Sequence, residues 1–187
     1  MEQEIIFLLD RSRNMAGKEA EAVAEYNDFI LRNGRGDYKV TTVLFDDRYE
    51  LLYHCLPIRY AQLYPEQYYI RGACALYDTI GRAATAVGAR HAQLAENKRP
   101  KTYLLIRTNG AEDASRTYTG KMVKELLERQ KQKHGWEIFF IGCDAQAVLE
   151  AKALDPAGES VAQMEQEDEY FAVLLRLLDS RRLQRGE

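Results

Sequence analysis

At 187 residues the chain is long enough to bury one sizeable core and too short for two comfortable ones. Hydrophobic residues make up 46% and charged residues 29%, an ordinary globular balance that excludes a disordered or fibrous chain. The formal net charge of −3, with a sequence pI near 5.7, leaves no overall basic field to gather phosphate backbones or anionic lipid, so neither nucleic acid nor a membrane is expected as a partner.

The opening MEQEIIFLLDRSRN places acids before a short apolar run that ends at Asp10, which fits neither a signal peptide nor a membrane span. Residues 4–9 (EIIFLL) read as the first strand. Val23, Tyr26, Phe29 and Ile30 then recur at helical spacing, and Asn33-Gly34 supplies a stop. Residues 40–45 (VTTVLF) and 50–55 (ELLYHC) read as two more strands, followed by Leu76, Ile80, Ala83, Ala84 and Val87 on a second helix. Residues 102–107 (TYLLIR) form a fourth strand. Met122, Val123, Leu126 and Leu127 mark a third helix, supported by Glu125 and Arg129 four apart. Residues 137–142 (EIFFIG) make a fifth strand. A shorter helix over 144–153, a short edge strand over 160–164 and a closing helix carrying Tyr170, Phe171, Leu174, Leu177 and Leu178 complete the series. From about residue 179 the chain turns polar and Arg-rich, as a solvated tail would.

Alternation of apolar runs with amphipathic segments predicts a three-layer, Rossmann-like α/β fold, a mostly parallel sheet with helices on both faces, in a single domain over 1–187. The runs at 4–9, 102–107 and 137–142 are almost continuously apolar, so they belong at the centre. Cys55, Cys74 and Cys143 are odd in number and form no CxxC pair, which favours reduced thiols in a cytoplasmic setting over a disulfide framework or zinc site. A GxxxxGK[ST] or GxGxxG phosphate loop is absent, and His54, His91 and His134 have no carboxylate or thiol at triad or metal spacing.

Ligands of open α/β sheets bind beyond the carboxyl ends of the strands, where loops and helix N-termini converge. Three loops occupy that edge: Asp10-Arg11-Ser12-Arg13-Asn14-Met15, Gly72-Ala73-Cys74-Ala75-Leu76-Tyr77-Asp78 and Thr108-Asn109-Gly110-Ala111-Glu112-Asp113-Ala114-Ser115. Together and in this order they resemble the von Willebrand factor A family, whose metal site combines DxSxS, a Thr in a GxTxLxDA-like segment and an Asp in a TDG-like turn. The DRSxxM form resembles small bacterial cytosolic members, and FDDRYELLYHCLPI and GWEIFFIGCDA look like their later strands, so the resemblance spans nearly the whole chain. It implies the von Willebrand factor A version of the fold and a binding module, with magnesium held by hard oxygens and one position open to a partner's acid.

Three of the five ligand positions depart from that pattern. Asp10 and Ser12 are kept, but Asn14 replaces the second Ser, Cys74 the Thr and Asn109 the second Asp. Soft sulfur and one lost carboxylate predict a site that binds magnesium weakly or not at all, with no cofactor required. Read without the resemblance, Asp10, Ser12, Asn14 and Asn109 cap loops, and Cys74 fills a small apolar volume or, ahead of a helix N-terminus, acquires a depressed pKa. Asp46-Asp47 and Glu112-Asp113 read as solvated turn acids, the second pair favouring the start of the following helix.

Tyr60, Tyr64, Tyr68 and Tyr69 crowd the approach to Gly72, where they either serve an interface or pack a long connection. The expected function is a non-enzymatic module that binds a protein partner through Asp10, Ser12, Asn14, Tyr69, Gly72, Asn109, Glu112 and Asp113 without a required divalent ion. The alternative is a magnesium-dependent adhesion-type module. A hydrolase or redox enzyme using Asp10 or Cys74 is the third reading, and no base or oxyanion set accompanies either residue. Partner identity and oligomeric state are not written in the sequence.

Overall fold

The computed structural model describes residues 2–109, 112–142, 145–155 and 161–163. Strands β1 (Gln3–Asp10), β2 (Tyr38–Phe45), β3 (Tyr49–Pro57), β4 (Lys101–Arg107), β5 (Glu137–Gly142) and β6 (Val161–Gln163) form one sheet in the order β3-β2-β1-β4-β5-β6. All neighbouring pairs are parallel except β3 on β2. The link from Phe45 to Tyr49 is too short for a crossover, so β3 must return as a hairpin.

Side chains of β1 alternate between two cores. Ile5, Phe7 and Leu9 face α1 (Glu19–Asn33), while Ile6 and Leu8 face the side covered by α2 (Leu76–Ala92), α3 (Gly120–His134) and α4 (Ala145–Leu154). The arrangement is the three-layer, Rossmann-like α/β fold predicted from the alternation of runs. The almost wholly apolar β1 and β4 are at the centre, as the requirement to cover both faces demands. On the α1 side, the rings of Tyr26 and Phe29 meet the Phe7 ring edge-on at 4.9 and 5.2 Å, and the buried Tyr26 hydroxyl is paired with Thr42 Oγ1 at 2.8 Å.

The expected stop at Asn33-Gly34 ends α1, but Gly34 stays right-handed at φ −60° and closes the helix through its N–H to the Leu31 carbonyl. The crowded tyrosines divide their work. Tyr68 joins Ile58, Ala61 and Leu63 in the core beside α1, whereas Tyr60, Tyr64 and Tyr69 remain exposed.

At the amino end of the sheet, Glu4 is buried and accepts from Thr41 Oγ1 (3.1 Å), His91 Nε2 (2.8 Å) and the Arg90 guanidinium. Burial pushes its carboxyl up, but the His91 and Arg90 hydrogen bonds and the Arg90 charge outweigh it and hold Glu4 below the usual range. Beside it, Cys55 adopts φ 49° where β3 slips register against β2, and its N–H donates to Thr41 Oγ1 at 3.2 Å. Among the described residues no helix is long and apolar enough to cross a membrane. The predicted closing helix, the Arg-rich tail and Cys143 lie outside the described residues.

Candidate functional site

β1 and β4 are adjacent and the chain leaves them in opposite directions, so a crevice opens beyond their carboxyl ends. Pairing of Leu9 with Arg107 brings Asp10 level with Thr108. Asp10 is fully buried there. Its Oδ1 accepts from the Ser12 backbone N–H at 2.7 Å, and its Oδ2 accepts from Thr108 Oγ1 at 2.7 Å and from the Cys74 thiol at 3.8 Å. The Tyr68 hydroxyl donates to the Asp10 carbonyl. Burial raises the Asp10 pKa, and the Thr108 and Ser12 N–H hydrogen bonds only partly offset this.

Of the remaining predicted ligand positions, Ser12, Cys74 and Asn109 are buried at this end of the sheet, and Asn14 is exposed on a short 3-10 turn, Arg13–Met15. Ser12 Oγ is buried beside the Asp10 carboxylate. Burial pushes the Cys74 thiol up, and the charge of Asp10 adds to it, so the depressed pKa open to a cysteine ahead of a helix does not develop. Desolvation wins over the helix start because the sulfur faces a carboxylate.

The donor set does not fit a hard dication. Among the five predicted positions Asp10 supplies the one carboxylate, and the position facing its Oδ2 carries sulfur. Among the described residues no group of three His, Cys, Asp or Glu side chains is placed to hold a metal ion.

Around this centre the loops are locked to one another. Arg11 is fully buried, with Nε on Asp46 Oδ2 at 3.0 Å and its terminal nitrogens on Glu50 and the Gln67 carbonyl. Arg71 Nε reaches the same Asp46 oxygen, and the Tyr69 ring lies 4.9 Å from the Arg11 guanidinium and 5.5 Å from that of Arg71. Burial raises Asp46, yet the hydrogen bonds of Arg71, the Arg48 N–H and Arg11 bring it below the ordinary range. Asp46 is therefore a buried ion-pair hub and not a solvated turn acid. Gly72, at φ 64°, presents its Cα to the Asp47 carboxylate so closely that a Cβ there would overlap it.

Glu112 and Asp113 do not cap the helix that follows them, as their position in the chain suggested. Glu112 caps α2, and Asp113 holds the turn before it. Cys74 N–H donates to Asp113 Oδ1 (2.6 Å), Tyr77 N–H to Glu112 Oε2 (2.8 Å) and Asp78 N–H to Ser115 Oγ (2.9 Å). In return, Asp78 accepts from the N–H groups of Arg116, Thr117 and Tyr118 at 2.9, 2.9 and 2.7 Å. α3 takes its own cap from Thr119, whose side chain accepts from Met122 N–H. Arg13 pairs with Asp113 across the rim.

Below the crevice, the buried Arg107 is held by Glu25 at 2.8 Å and Glu21 at 2.9 Å. Burial lifts Glu25 to about 7 against the pull of Arg107, with Glu21 adding repulsion. Sequence reasoning missed Thr108, Arg11, Asp78 and Arg107. For Arg107, inside β4, and Arg11, directly after β1, a charged residue in or next to an apolar strand was the available signal; Thr108 and Asp78 carried none.

No family model and no curated protein matches the chain. Solved structures do: two crystal structures of proximal thread matrix protein 1 (PTMP1) from the mussel byssus align with TM-scores of 0.63 and 0.64 at 16% identity, covering 92% of this chain. The chain spans less than half of those proteins, 43% and 44% of their length, and the likeness is one of fold.

Proposed function

We propose that the chain is a non-enzymatic interaction module of von Willebrand factor A type that holds a protein partner on its carboxyl-edge loops without a divalent ion. The observation that carries this reading is the self-sufficiency of Asp10. Its oxygens accept from Ser12 N–H, Thr108 and Cys74, so the carboxylate serves to join β1, β4 and the Gly72–Cys74 loop. The same rim keeps Arg13, Asn14 and Tyr69 exposed on backbone that is latched in place, which favours pre-organised binding. Cys74 as a neutral thiol and Asp10 without an adjacent base argue against the hydrolase and redox readings. That proteins sharing this fold are named as matrix proteins accords with a binding use.

Magnesium-dependent binding is the second reading, favoured by one feature: the buried Ser12 Oγ beside the Asp10 carboxylate, two of the five ligand positions the resemblance implies. Thermal melts with and without millimolar magnesium separate the two. Magnesium at about 100 times its dissociation constant adds roughly 2.7 kcal/mol to the folded state, a shift of several degrees for a protein of this size. The metal-free reading expects no shift and partner capture that survives EDTA but is lost in Asn14→Arg and Tyr69→Arg. A magnesium-induced rise that disappears in Asp10→Ala overturns it.

A further inference from the structure

Beside the rim, on the α2 side, lies a pocket of about 270 Å³ between the β2–β3 turn, the first turns of α2 and the segment before α3. Asp47, Arg48, Tyr49, Asp78, Arg82 and Tyr118 supply its chemistry. Asp10 and Cys74 take no part in it.

Its four charges are unequally engaged. Asp78 is saturated by three backbone N–H groups, and Asp47 folds back against Gly72. Neither Arg48 nor Arg82 has a carboxylate within ion-pair distance among the described residues, and Arg82 lies over the Tyr49 ring at 4.2 Å instead. Asp78 is thus turned to the protein and Asp47 stays exposed beside Gly72, while both guanidiniums keep their donors for something else.

The walls are fixed. The Arg48 N–H is held by Asp46 Oδ1 at 2.8 Å, and the Tyr118 ring lies against Gly81, where a Cβ would overlap it. Tyr118 is further tied through its hydroxyl to Thr85 at 3.3 Å.

We propose that this pocket binds an oxyanion, a carboxylate or phosphate group on a slim or aromatic stem, through Arg48 and Arg82, with the Tyr49 and Tyr118 rings flanking the stem. Guanidinium forks match the two oxygens of such groups, and the two tyrosines in the lining give the stem an apolar wall. The site adjoins the proposed partner rim without including Asp10, Arg13, Asn14 or Tyr69, and its test does not need the partner.

The test is titration of the full chain with N-acetylglutamate amide and with N-acetyl-O-phosphotyrosine amide, followed by the arginine Nε–H and tyrosine ring NMR signals. Saturable shifts at Arg48, Arg82, Tyr49 and Tyr118 are expected for at least one probe, weakened about fivefold or more in Arg48→Gln and in Arg82→Gln. The better probe identifies the anion. Tighter binding of the same residue inside a Gly-Ser hexapeptide assigns it to a protein source, and equal binding to a small molecule. Both variants lie on the surface, and their melting temperatures verify folding. Absence of shifts with both probes, or variants that titrate like the unaltered chain, overturns the proposal.

Discussion

Thr108 Oγ1 donates to Asp10 Oδ2 across 2.7 Å, joining the carboxyl ends of the two central strands through side chains where the backbone ladder has stopped. Asp10→Ala leaves the Thr108 hydroxyl and the Ser12 N–H without their acceptor in a buried place. A loss of about 1–3 kcal/mol is expected in urea or thermal unfolding. The loss is the same with and without magnesium.

Asp78 ties α2 to the segment before α3 with three hydrogen bonds from backbone N–H groups. Asp78→Ala is expected to lower Tm by about 5 °C, from an order of 2 kcal/mol spread over this chain length. Hydrogen exchange should rise at the Arg116, Thr117 and Tyr118 amides in particular. Unchanged protection there contradicts the latch.

Arg11→Ala strips a fully buried charge partner from Asp46 and leaves only Arg71, which is partly exposed. Breaking a buried pair from one side costs about 3–5 kcal/mol. Arg71→Ala leaves the buried partner in place, so its cost is expected to be clearly smaller by the same unfolding measurement.

Two acids give stability opposite dependences on pH. Glu25 has a raised folded pKa of about 7 against an ordinary 4.5, so the folded state binds the extra proton between those values. Stability therefore falls as pH rises from 4.5 through 7, and Glu25→Gln flattens that part of the profile. Glu4 is depressed, so its contribution is present above 4.5 and is lost as pH falls through its folded value. Glu4→Gln removes that acid-side loss. Tm measured from pH 3 to 8 in the three proteins reads both effects.

Much of the architecture is legible in the sequence, and β1 shows why. Five successive apolar residues, Ile5 to Leu9, can be buried only if both faces of their strand are covered, which demands a central place and helices on each side. Asp10, Ser12, Cys74 and Asn109 were likewise legible as one neighbourhood, because the carboxyl ends of adjacent strands converge. Their bonding was not. Which residue touches Asp10 depends on a register shared by β1 and β4, and that register made it Thr108.

Local composition by itself determined the elements, their burial and the edge at which the loops gather, since these follow from periodicity and turn chemistry within about a dozen residues. Only the tertiary structure decided that Glu112 caps α2, that Asp113 holds the turn before it and that Arg11 lies inside. It alone placed Arg48 and Arg82 around one pocket. Those pairings join residues separated by about 35 to 40 positions, as Arg11 with Asp46 and Cys74 with Asp113, and a hydrogen bond depends on distance in space, which sequence spacing on that scale does not encode.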